Sequence, residues 1–174
     1  MATGNETIPG LGERKRALTC AGGGILDMAI AMMETTTMLP SPRGYLLGDV
    51  DGLGVAKRGD AANFGIFKQN WKMIREAWPP FQSLGAADWM RGCALNGSLS
   101  LDVHILHASM RFYGPRWFHG HRQGESGLVA PDACSPMMAD ILNYQRAVYW
   151  IANQLEPDHL TDDLRFWDNT VPAI

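Results

Sequence analysis

The stretch ILDMAIAMME occupies residues 25–34, is apolar at almost every position and closes with Glu34. Its apolar side chains recur at steps of three and four residues on a broad stripe, which predicts a helix almost surrounded by core. Three glycines at 22–24 allow the start of this helix to pack closely. We expect a helix from about Ile25 to Thr35 with a carboxyl group at its buried end.

Further helices follow from capping residues and apolar spacing elsewhere in the chain. The predicted helices run over 63–78 with Asn63 as the cap, from Ser98 or Ser100 to Phe112, over 135–155 and over 161–167. Two segments rich in glycine, proline and polar residues, 39–60 and 117–131, are predicted to be irregular surface loops with a functional role. Together these elements indicate a mostly helical α+β fold.

The chain has 174 residues, of which 46% are hydrophobic and 19% charged. This is the size and composition of one globular domain, and we assign residues 1–20 to a polar N-terminal segment and 21–174 to that domain. The formal net charge is −3, and the Lys and Arg residues are scattered, so we expect no nucleic-acid partner. The same balance weighs against anionic polysaccharides and favours neutral glycans as ligands.

No apolar run reaches the roughly 20 residues that a membrane helix needs, so we expect no membrane partner. The first residues are polar and lack the hydrophobic segment of a signal peptide. We expect an extracellular, secreted protein whose signal peptide is not part of this sequence, and a monomer. Cys20, Cys93 and Cys134 lie far apart and form no CxxC pair, so at most one internal disulfide can form.

Carboxyl groups in two unlike environments suggest chemistry at a glycosidic bond. Such hydrolysis needs one carboxyl kept protonated as the acid and a second that is ionised. Burial and the negative end of its helix are expected to raise the pKa of Glu34, which suits the acid. Asp49, in a glycine-flanked loop open to water, suits the second role, and Asp51 is the alternative.

Three motifs point to one family. They are METT at 33–36, YxxGD at 45–49 and KxGDAANFGIFKQNW at 57–71, of which the last is long enough to be specific. Together they resemble glycoside hydrolase family 134, whose members are inverting endo-β-1,4-mannanases with a lysozyme-like fold. By position, the resemblance implies that Glu34 is the general acid and Asp49 the general base. The spacings between these motifs look longer here than in the family, which keeps Asp51 as a second candidate base.

The resemblance implies a single lysozyme-like domain with a cleft, which acts on β-1,4-mannan and manno-oligosaccharides without a cofactor. Planar amides and charged side chains bind the hydroxyl groups of neutral glycans. The candidate substrate-binding residues of the motif and of the polar segment after Trp117 are Lys57, Asp60, Asn63, Gln69, Asn70, His121 and Arg122. Structural roles compete for two of them, since Asn63 can cap a helix and Asp60 can stabilise a turn. Phe64, Phe67 and Trp71 are expected to be core residues.

Three other interpretations are compatible with parts of the sequence. His104, His107, His119 and His121 could together bind zinc, although the general base of a zinc protease motif is absent and we expect no metal. A non-catalytic glycan-binding protein would keep the amides and aromatic rings but would not need an acid at Glu34. A muramidase is the other enzyme class, which the acidic charge balance makes the weaker alternative.

Overall fold

The computed structural model describes residues 2–40, 55 and 57–171. The described part is a mixed α+β fold in which helices predominate, as expected. The helices are α1 (Leu11–Cys20), α2 (Ile25–Glu34), α3 (Trp71–Ala77), α4 (Cys93–Asn96), α5 (Leu99–Tyr113), α6 (Trp117–Leu128) and α7 (Pro136–Leu155). The strands are β1 (Thr3–Thr7), β2 (Asn63–Phe64), β3 (Gln69–Asn70) and β4 (Leu164–Asp168).

Helix α2 lies at the centre of the larger hydrophobic core. Its residues Met28, Ala29, Ile30, Ala31 and Met32 are all buried, and it packs against α7 and β4. The helix predicted from the apolar stretch is therefore confirmed, and Glu34 is its last residue. Because α2 is enclosed by other elements, the position of Glu34 is fixed by packing rather than by a loop.

The two ends of the described chain form an antiparallel sheet. Strands β1 and β4 pair from Thr3 opposite Asp168 to Thr7 opposite Leu164. The prediction of a helix over 161–167 is therefore wrong, because most of this segment is strand β4. In β4 Phe166 is buried, and Leu164, two positions before it, is partly buried against the same core, as the two-residue period of a strand requires. That pattern is too short to distinguish from a helical turn without knowing that β1 lies alongside.

The helix predicted to begin at Asn63 is also wrong, because a short hairpin of β2 and β3 comes first. Its turn uses positive φ angles at Gly65 (77°) and Lys68 (46°). Helix α3 begins only at Trp71, and the side chain of Asn70 caps it by accepting from the Met73 N–H at 3.0 Å. The aromatic rings of this segment are buried as expected, but the hairpin and the start of α3 place them there.

The polar segment after Trp117 is a helix, α6, where a surface loop was expected. Its glycines serve close packing: a Cβ at Gly120 would stand 2.7 Å from a Leu128 methyl, and one at Gly127 would stand 2.1 Å from the His119 carbonyl oxygen. The helix is kinked at Gly124, where φ is 59°. The glycine content of this segment therefore predicted a loop. In the structure, the glycines instead let neighbouring atoms approach the backbone of a helix closely.

The two remaining predicted helices are confirmed. Ser98 caps α5 and Ser135 caps α7 through their side chains, and α5 ends at Gly114 as its sequence indicates. Cys20, Cys93 and Cys134 are free thiols. In the described residues, no helix combines the length and apolar character needed to span a bilayer.

Candidate active site

Glu34 lies at the end of α2 with its side chain only 7% exposed. Its Oε1 accepts a hydrogen bond from the Tyr144 hydroxyl of α7 at 2.5 Å. The Nε2 atom of His121, on α6, lies 3.1 Å from the same oxygen and 3.1 Å from the Tyr144 hydroxyl. Three elements distant in sequence therefore meet at one carboxyl oxygen.

The pKa of Glu34 is lowered, contrary to the expectation from burial. Burial does raise it, but the hydrogen bond and charge of His121, the hydrogen bond of Tyr144 and the charge of Lys68 together outweigh that effect. The sequence could show the apolar surroundings of Glu34 but not these partners. The burial of Tyr144 raises its own pKa well above the ordinary value, so Tyr144 remains a donor.

Neighbouring side chains hold His121 and Arg122 in place beside Glu34 and Tyr144. The Trp117 ring stacks on the His121 ring at 4.5 Å with an interplanar angle of 12°. Arg122 forms two hydrogen bonds with Asp140, at 2.8 and 2.9 Å, and its guanidinium lies 5.4 Å from the centre of the Tyr144 ring. Both side chains are therefore fixed before any ligand arrives.

Most of the candidate binding residues line one pocket of about 430 Å³. Six of the seven are Lys57, Asp60, Asn63, Asn70, His121 and Arg122. The hairpin explains part of this grouping, because Asn63 and Asn70 are opposite each other in register and cross-strand partners project from the same face. The pocket is therefore polar. It lies next to Glu34, because His121 lines the pocket and also contacts the Glu34 carboxyl group.

Gln69 is the candidate that lies elsewhere. Its side chain is buried and donates to the Asp102 carboxyl group at 2.7 Å and to the Asp102 carbonyl oxygen at 2.9 Å. Two other candidates have structural bonds as well as pocket positions: Asn70 caps α3, and Asp60 forms a two-point ion pair with Arg75 at 2.8 Å. This pair lowers the pKa of Asp60, so Asp60 contributes an ionised carboxylate to the lining of the pocket.

A second pocket, of about 240 Å³, lies on the other side of Arg122, which lines both. Glu34 and Tyr144 form part of its wall. The remaining lining includes Lys68 from the hairpin and Trp167 from β4. Arg122 therefore borders two pockets, one toward the hairpin and one toward the terminal sheet, and Glu34 lines the second.

Sequence reasoning missed three of these residues. Tyr144 lies within the helix predicted over 135–155, whose spacing indicates only an apolar position there, although a buried tyrosine hydroxyl needs a partner. Lys68 lies inside the long motif, but no local pattern distinguishes it from the other polar residues there. Trp167 was assigned to a helix, which hid its position on a strand.

Asp49 and Asp51 lie outside the described residues, as does most of the loop that carries them. The zinc alternative finds no support, because no group of three or more potential metal ligands occurs within residues 2–40, 55 and 57–171. Two of its four histidines instead pair with carboxylates: His121 with Glu34, and His107 with Asp27 at 2.7 Å.

Glycoside hydrolases work with a pair of carboxyl groups, and Glu34 is a buried carboxyl on the wall of a polar pocket. The sequence profile described as Glycosyl hydrolase family 134 matches residues 12–170. The chain belongs to this family. A search of curated proteins finds no significant match to the chain.

Proposed function

We propose that the protein is a secreted, monomeric endo-β-1,4-mannanase of lysozyme-like fold that inverts the anomeric centre in a single displacement. The observation that supports it most is the position of Glu34, a buried carboxyl with two hydrogen-bonding partners on the wall of a cleft. Membership of family 134 gives the class of reaction. The polar pocket lined by six candidate residues suits the hydroxyl groups of a neutral glycan.

Glu34 is the general acid in this proposal. Oε1 is occupied by Tyr144 and His121, so we assign proton transfer to Oε2, which gives its proton to the departing glycosidic oxygen. The two donors then stabilise the carboxylate that forms. By lowering its pKa, these donors make Glu34 a stronger acid. The same shift leaves a smaller fraction of Glu34 protonated at neutral pH. We therefore expect an acidic pH optimum.

The general base is Asp49, with Asp51 as the alternative. An inverting pair of carboxyl groups stands about 6.5 to 9.5 Å apart, which leaves room for the attacking water, whereas a retaining pair lies about 5 to 5.5 Å apart. Asp49→Asn and Asp51→Asn variants distinguish the two candidates. Loss of turnover in only one of them, with glycan binding retained in both, identifies the base.

The test of the whole proposal is proton NMR of the first products formed from mannohexaose. We expect α-anomeric reducing ends at the start of the reaction, which later equilibrate by mutarotation. Initial β-anomers would contradict inversion while leaving the mannanase activity standing.

A substrate panel tests the activity itself. Reducing ends should be released from linear mannan and not from bacterial cell wall. Cleavage of cell wall alone would support a muramidase, and binding to mannan without cleavage would support a glycan-binding protein. Either result overturns the proposed function.

A further inference from the structure

The terminal sheet borders the pocket that contains Glu34. In β4 the side chain of Phe166 is buried in the core, so Arg165 and Trp167 project from the opposite face by the two-residue period of a strand. Both of them line the pocket together with Glu34. Strand β4 therefore places an aromatic ring and a cation on the cleft wall.

A glycine of the neighbouring strand holds the Trp167 indole in position. Gly4 is directly opposite Trp167 in the β1–β4 register, and a Cβ at position 4 would stand 2.4 Å from Cζ2 and 2.9 Å from Cη2 of the indole. The ring thus lies across a position where only glycine leaves room. Trp167 is still only partly buried, so it is packed against β1 and also lines the pocket.

Arg165 connects this sheet to the helix that carries Glu34. Its Nη2 donates to the carbonyl oxygen of Met32 in α2 at 3.1 Å, and its Nη1 donates to Glu6 in β1 at 2.7 Å. Because one guanidinium joins α2, β4 and β1, the distance between the Trp167 ring and Glu34 is set by the fold rather than by a mobile loop.

Polar side chains complete the wall around this ring. Thr36, Lys68 and Asn169 line the same pocket. A sugar ring is recognised by an aromatic face that covers its C–H groups and by polar groups that bind its hydroxyls, and both kinds of group are present here.

We propose that this pocket is a subsite for one hexose unit of the glycan next to the bond that Glu34 cleaves. Trp167 is its stacking residue and Gly4 is a positioning residue. The inference rests on the proposed function and deepens it. It also brings β1, which precedes the matched residues 12–170, into the substrate site.

The test compares Trp167→Leu, Trp167→Phe and Gly4→Ala with the unchanged chain on mannohexaose. Loss of aromatic stacking should raise KM between about 2- and 10-fold in Trp167→Leu, with kcat nearly unchanged. Trp167→Phe should recover most of this loss, and Gly4→Ala should raise KM although it keeps the indole. Phe112→Leu is the matched control, because Phe112 is 57% exposed and lines neither pocket.

Calorimetric titration of mannohexaose into Glu34→Gln, with and without Trp167→Leu, measures the same subsite without turnover.

An equal KM for the unchanged chain, Trp167→Leu and Gly4→Ala would overturn the subsite while the mannanase activity stands. No release of reducing ends by the unchanged chain would instead overturn the function. If Trp167→Leu fails to fold, as judged by thermal melting, Trp167→Phe and Gly4→Ala still decide: a rise of KM in Gly4→Ala alone supports the subsite, and no rise in either overturns it.

Discussion

Glu34 illustrates how a single residue is defined by its contacts. Its burial favours the protonated acid, whereas the donors on Oε1 favour the carboxylate and prevail. The pKa of Glu34 is therefore lowered, and the residue is protonated mainly in acidic solution. The sequence indicated the residue and its reaction class, but the sign of its pKa shift depends on His121 and Tyr144, which are about 90 to 110 positions away.

Replacing Glu34 with Gln should remove the transferable proton while retaining shape and burial. We expect kcat on mannan to fall by about 10²- to 10⁴-fold, the usual contribution of general acid catalysis, and the affinity for mannohexaose to change little. Steady-state kinetics and calorimetric titration measure the two quantities. Glu13→Gln is the matched control, since Glu13 is exposed on α1. Turnover close to that of the unchanged chain would remove Glu34 from the mechanism.

Replacing Tyr144 with Phe should raise the pKa of Glu34. The change deletes one hydrogen bond to the carboxylate and keeps the ring. Burial, which raises the pKa of Glu34, is then opposed by one hydrogen bond fewer. A ¹³C NMR titration of the glutamate carboxyl carbons measures the shift directly. Tyr149→Phe on the same helix is the control, because Tyr149 is 46% exposed. A Glu34 pKa that stays constant or falls in Tyr144→Phe would show that this hydrogen bond does not set it.

At the scale of elements, the hairpin shows where local pattern and tertiary structure diverge. The spacing of Phe64, Phe67 and Trp71 fits one face of a helix, and all three are buried. Yet the buried Asp102 carboxyl group accepts from the Ile66 N–H at 2.8 Å and leaves no room for a Cβ at Gly65. A residue 36 positions away therefore fixes this turn, which no local signal could indicate.

Asn70 joins two elements, since its side chain caps α3 and also donates to the Gly120 carbonyl oxygen of α6 at 3.2 Å. Asn70→Ala should lower the free energy of unfolding by about 2 kcal/mol, of which the cap contributes about 1 and the buried hydrogen bond about 1. Asn70→Ser keeps the cap and should lose about half as much. Urea denaturation measures both.

Ser135→Ala is the matched control for Asn70, because it removes only the α7 cap and should cost about 1 kcal/mol. Equal losses in Asn70→Ala and Asn70→Ser would mean that the cap contributes nothing and that the link to α6 carries the whole effect.

At the scale of the whole molecule, one buried carboxyl couples stability to pH. Burial raises the pKa of Asp102 from 3.8 to about 8, although hydrogen bonds from Gln69 and Ile66 act in the opposite direction. Between these two values the folded chain keeps a proton that the unfolded chain releases. The contribution of Asp102 is therefore fully present below the unfolded pKa, decreases as pH rises, and is lost above about 8.

We expect the free energy of unfolding to fall by at most about 1.4 kcal/mol per pH unit across this range from Asp102 alone. Urea denaturation at several pH values measures the slope, and Asp102→Asn should reduce it. Only the slope is compared, because asparagine also changes the hydrogen bonds to Gln69 and Ile66. Asp158→Asn, at an exposed position, should leave the slope unchanged. Identical slopes in all three proteins would contradict a raised pKa at Asp102.

The sequence by itself determined the class of fold, the central helix, the two long helices that were predicted to begin at Ser98 or Ser100 and at Ser135, and the family. These features depend on local apolar spacing, on capping residues and on one long motif, all of which are contiguous in the chain. Six of the candidate binding residues also share one pocket, since most of them lie in that motif.

Only the tertiary structure decided that 117–128 is a helix, that β4 pairs with β1, and that Tyr144 and His121 meet at Glu34. Each of these depends on partners far apart in the chain: Gly120, which lies close to Met73 of α3, a strand that needs a second strand, and a carboxyl whose pKa is set by side chains from two other helices. Local sequence cannot encode such contacts, because burial and hydrogen bonding are properties of the packed molecule.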